Sequence, residues 1–152
     1  MTSRYCLVLL FALTGATYAE EHRVVGPDEP SALPVAERIL RHLAAGEIDE
    51  AARFSNEPGR RAEVLRDYLR AVGEAEFRRV YAEYLQPPNH VAAEIAMGPR
   101  RLLIWQLTGA GERLAAQYYV ETDGRFLMDD RPGPERRALQ QVLVQRRKEA
   151  GR

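Results

Sequence analysis

The chain predicts an α+β fold, with N-terminal helices packed on a four-stranded antiparallel sheet and one more helix at the C-terminus. Three observations carry that expectation. Apolar residues recur at helical spacing from Val35 to Leu85. From His90 to Met128 they alternate with polar ones at the spacing of a strand. Helical patterns come first and strand patterns after, which is the order of α+β proteins.

The first residues set the compartment. Arg4 precedes the apolar run "YCLVLLFAL" (5–13), and "TGATYA" (14–19) supplies mostly small residues before the acidic Glu20. A basic start, a short apolar stretch and a small residue at the cut make a secretory signal peptide over residues 1–19. The run falls well short of the ~20 residues that span a bilayer. Periplasmic or secreted localisation is therefore expected. Cleavage would leave about 130 residues, enough for one domain with its own core. It would also remove Cys6, the only cysteine, so the mature chain is expected to hold no disulfide and no thiol.

Residues 20–31 carry charge, Pro and Gly, and are expected to be a flexible leader to a domain over 32–131. Ser31 can cap a first helix that tolerates Pro34 in its opening turn and ends at Gly46. "IDEAARFS" (48–55) reads as a short second helix. Val64, Leu65, Tyr68, Leu69 and Val72 form a third stripe ending at Gly73. Phe77, Val80, Tyr81, Tyr84 and Leu85 form a fourth, closed by Pro87-Pro88. In "HVAAEIAM" (90–97), Val91, Ala93, Ile95 and Met97 fall on one side. Leu103, Trp105 and Leu107 share a face of the next strand. Leu114 and Tyr118 are expected to join them, leaving Gln117, Tyr119 and Glu121 opposite. Asp123-Gly124 is a strong two-residue hairpin signal. Residues 132–152 read as a basic helix with Pro134 in its first turn and a narrow stripe of Leu139, Val142 and Leu143.

Charge excludes one class of function. Basic and acidic side chains number 22 each, which gives no electrostatic footprint for nucleic acid. Catalytic devices are sparse. No GxSxG, HExxH or calcium-loop pattern is present, and no cofactor is expected. His90 and Glu94, four apart on a strand, would stand ~13 Å from each other, too far to share a metal ion. An acid–base site would need a carboxylate inside the fold beside phenol donors. Glu94, Glu121 and Asp67 fall off the apolar stripes and read as solvent-facing, and Asp129-Asp130 reads as a turn or helix start.

The stretch "VAERILRHLAAGEIDEAARFS" (35–55) resembles the opening helix, glycine break and short second helix of the nuclear transport factor 2-like, cystatin-like α+β cone superfamily. The strands from His90 to Asp130 resemble its curved sheet. The layout is similar to that of small secreted bacterial members. The long paired helices over 60–86 and the C-terminal helix are not standard parts of that family. The resemblance implies a sheet that wraps the helices and encloses a pocket.

Three functions stay open at this point. The first is an exported, non-catalytic binding or adaptor protein, of inhibitor or immunity type, that acts through protein contacts. Tyr119, Arg136, Arg137, Arg146 and Arg147 would then meet the partner, and the basic helix could also touch a membrane surface. The second is a carrier that holds a small apolar ligand against Tyr81, Trp105 and Tyr118. The third is an isomerase- or dehydratase-like enzyme.

Overall fold

A computed structural model describes residues 21–109 and 111–151. The expected signal peptide lies outside the described residues. The chain runs β1 (Arg23–Val24), α1 (Leu33–Ala44), α2 (Ile48–Ala52), α3 (Pro58–Val72), α4 (Glu74–Tyr84), β2 (His90–Met97), β3 (Arg100–Leu107), β4 (Arg113–Thr122), β5 (Arg125–Met128) and α5 (Pro134–Ala150). The fold is α+β, and its antiparallel sheet has five strands in sequential order, not four. The extra strand comes from the expected leader, where Arg23 and Val24 pair with Ala96 and Ile95 on the edge of β2.

Two serines start the longer N-terminal helices by one device. Ser31 and Ser55 each stand three residues before a proline, Pro34 and Pro58. Each hydroxyl oxygen accepts the N–H two residues on, from Leu33 at 3.0 Å and Glu57 at 2.9 Å. Each hydroxyl also donates to a distant carboxylate, Glu94 and Asp130 respectively. Helix starts leave orphan N–H groups, and this arrangement satisfies some of them while tying the helices to the sheet region. At the other hairpin, Asp123 and Gly124 both take positive φ, 52° and 74°, as a two-residue turn between twisted strands requires.

Helices cover the sheet on both faces. The inner layer packs Leu103, Trp105, Leu107 and Tyr119 against Ile39, Leu40, Leu43, Leu65 and Phe77 of α1, α3 and α4. The outer layer packs Ile95, Met97, Leu102 and Ile104 against Leu139 and Leu143 of α5. A strand buried on both sides need not alternate, which accounts for the continuous apolar run in β3.

Two face assignments read from the sequence are corrected. Trp105 stands opposite Ala115, Leu103 opposite Gln117 and Arg101 opposite Tyr119. Opposed residues share a face, so Tyr119 joins Trp105 on the inner side and Tyr118 turns outward to α5. In β2 a register shift between Val91 and Ala93 inserts one extra residue. Such a bulge flips every side chain beyond it. Val91 therefore packs inward while Ala93, Ile95 and Met97 pack outward, and Glu94 comes to the inner face.

Candidate functional site

An interior cleft of about 270 Å³ runs between the inner face of the sheet and helices α1 to α4 and opens round the edge of β4, where Ala116, Tyr118 and Arg136 of the outer side line its mouth. It exists because β5 is short. β5 pairs only with residues 119–122 of β4, so Arg113 to Tyr118 have no strand neighbour on that side. In an antiparallel ladder, alternate residues direct their backbone groups to alternate neighbours. Asp129 N–H donates to the Tyr118 carbonyl at 2.8 Å, which places the even-numbered residues on the open side. The Arg147 guanidinium covers the Leu114 carbonyl at 2.9 Å. The N–H and C=O of Ala116 between them point to the opening, beside which the cleft enters the fold.

Ile39, Leu43, Leu65 and Met128 make the cleft apolar, and Tyr81, Tyr84 and Gln117 give it polar groups. Gln117 is oriented from behind. Its Oε1 accepts from Trp105 Nε1–H at 3.0 Å and from the Tyr119 hydroxyl at 3.2 Å, so its amide hydrogens are left for the cleft. Tyr84 packs edge-on against Trp105 with ring centroids 5.4 Å apart, and Tyr81 packs similarly against Phe77 at 4.9 Å. Among the described residues neither hydroxyl has a hydrogen-bond partner. Burial pushes the Tyr81 phenol up to about 12 and raises that of Tyr84. Both stay protonated at neutral pH and can donate.

The mouth is basic. Arg61 and Arg136 line it with Asp129. The guanidinium of Arg136 lies 4.5 Å from the centre of the Tyr118 ring and donates to the Asp129 carbonyl. Asp129, only 2% exposed, accepts from Arg100, from Asn56 Nδ2 at 2.9 Å and from Arg131 N–H at 3.3 Å. Asp130 takes Arg61 through two nitrogens and the Ser55 hydroxyl. These aspartates join the end of the sheet to the starts of α3 and α5. A carboxylate engaged by three donors is a poor general base. The cleft therefore offers donors over an apolar floor, an arrangement suited to holding an acceptor.

The expected site residues are distributed unevenly around this cleft. Tyr81 and Tyr118 line it, whereas Trp105 stands behind Tyr84 and Gln117 and is 3% exposed. Tyr119, expected as an exposed contact, is fully buried. A side chain inside the core has no surface to offer a partner. Arg136 and Arg137 lie at the start of α5, beside Arg60 and Arg61 of α3. Arg146 and Arg147 lie ten residues further along, ~15 Å away on a helix. Glu94, expected in solvent, is 8% exposed and accepts from Ser31 and from the Ala32 N–H. Glu121 and Asp67 are exposed, as expected.

Gln117, Arg61 and Asp130 were not legible as site residues, because their partners are distant in sequence and no local pattern marks them. Among the described residues no three His, Cys, Asp or Glu side chains converge to hold a metal ion. No helix among them is long and apolar enough to cross a membrane. No family model, curated protein or solved structure matches the chain.

Proposed function

We propose that the chain is an exported binding protein that holds a ligand without converting it. The carrying observation is the interior cleft, where Tyr81, Tyr84 and the Gln117 amide converge as donors above Leu43, Leu65 and Met128. That lining selects a small apolar body bearing a carbonyl or carboxylate, with Arg136, which has no carboxylate partner among the described residues, favouring the anion at the mouth. In this reading the sheet curves around the helices as in the nuclear transport factor 2-like superfamily.

Calorimetric titration with 2-naphthoate, an aromatic carboxylate, tests the cleft. Loss of one neutral hydrogen bond is worth about 0.5–1.5 kcal/mol. Tyr84→Phe should therefore weaken binding by about 2–10-fold while leaving the thermal melt unchanged. No heat of binding, or equal affinity in the Tyr81→Phe/Tyr84→Phe double variant, overturns the reading. Export has its own test. Cleavage after Ala19 predicts an intact mass lacking residues 1–19, and a purified periplasmic protein that retains Cys6 refutes it.

A further inference from the structure

We infer that a second cleft, between the starts of α3 and α5, is a docking surface for an extended acidic segment of a partner protein. This cleft, about 380 Å³, is lined by Arg60, Arg61, Arg136 and Arg137, with Val64 and Asp130 among the remaining wall residues. Asp130 is already engaged by Arg61 and Ser55, so it compensates Arg61 alone and leaves the other three arginines unbalanced. Among the described residues, no carboxylate lies within ion-pair distance of Arg60, Arg136 or Arg137.

The rest of the N-terminal helical surface is different. Arg66 pairs with Asp49, Arg70 with Asp67, Arg78 with Glu74 and Arg79 with Glu76. A chain of zero formal net charge that pairs most of its arginines leaves these uncompensated in one concave place. Val64, half exposed, sits among them as an apolar foothold. Complementary charge at a docking surface speeds encounter and fixes register.

Shape and neighbourhood choose the partner. The arginines line a recess, and Arg146 and Lys148 are at the far end of α5, so no broad basic plane faces a membrane. The recess shares Arg61 and Arg136 with the interior cleft, and through it reaches the unpaired edge of β4. Arginines without carboxylate partners, beside the open N–H and C=O of Ala116 on that edge, suit an extended polypeptide, which can add a backbone hydrogen bond to charge pairing.

The test uses a fluorescein-labelled twelve-residue peptide of alternating Glu and Val, read by anisotropy against the full protein. The wild type should bind it, and the affinity should fall as salt is raised. Arg60→Glu/Arg137→Glu should weaken binding at least about tenfold. Both side chains are exposed and without ion-pair partners, so the melt should not move. The 2-naphthoate affinity should also be unchanged, which separates this surface from the interior cleft. No peptide binding, or equal binding by the double variant, overturns the inference. Capture by phosphatidylglycerol vesicles but not by the peptide overturns it in favour of a membrane surface.

Discussion

Glu94 is the residue whose environment differs most from its sequence pattern. Strict alternation through "HVAAEIAM" puts it in solvent, but the bulge after Val91 turns it inward. There its carboxylate accepts from Ser31 and from the Ala32 N–H at 2.9 Å, and lies 3.9 Å from the buried guanidinium of Arg101. Removing one partner of a buried charge pair leaves the other uncompensated, which costs about 3–5 kcal/mol. Glu94→Ala should approach that range in urea denaturation, and Glu94→Gln, which keeps an acceptor for Ala32, should cost less. A loss under ~1 kcal/mol, the level of surface substitutions, would show that these contacts contribute little. A bulge adds a residue without any compositional sign, so the carboxylate could be seen in the sequence but not its direction. Asp129 holds the turn expected of it, but its burial, like that of Tyr119, has no local sign in the sequence. Each is positioned by partners that only the folded chain brings near, such as Arg100 for Asp129 and Gln117 for Tyr119.

At the scale of elements, the helices and hairpins were largely legible. Gly73, with φ of 85°, separates α3 from α4 where the stripes break, and the Asp123-Gly124 turn joins β4 to β5. α5 contributes more burial than the width of its stripe suggests. Its stripe is narrow, but Leu139 is 1% exposed and Leu143 is 6% exposed because they close the outer layer over Ile95, Met97, Leu102 and Ile104. That second layer also hid the strand faces. Alternation over a single buried face groups Leu114 and Tyr118 with Trp105, whereas they pack on the α5 side. Leu139→Ala should therefore cost about 2–5 kcal/mol, as core truncations do. Deleting residues 132–152 should leave an apolar sheet face open and produce a chain that self-associates in sedimentation. A deletion variant that stays monomeric with an unchanged melt would show the helix to be dispensable to the fold.

Across the whole molecule, length and charge were informative and the clefts were not. A chain of this length, balanced in charge, forms two helical layers on one sheet, but cleft position depends on how far β5 follows β4, which no composition records. The same packing gives the molecule a pH limit on the alkaline side. Burial raises the phenols of Tyr81, Tyr84 and Tyr119, that of Tyr81 to about 12. In the unfolded chain they titrate near ~10. Below that value both states are protonated and stability is unaffected. Above it the unfolded chain releases protons that the native state keeps, so stability falls with rising pH. Each tyrosine ionised only in the unfolded chain lowers stability by up to about 1.4 kcal/mol per pH unit. Urea midpoints should thus be level up to pH ~9.5 and drop steeply between ~10 and ~12. Tyr81→Phe/Tyr84→Phe should flatten that drop without abolishing it, because Tyr119 remains buried. Midpoints level up to pH ~11.5, or a drop of equal slope in the double variant, would mean that the Tyr81 and Tyr84 phenols are solvated in the native state as they are in the unfolded chain.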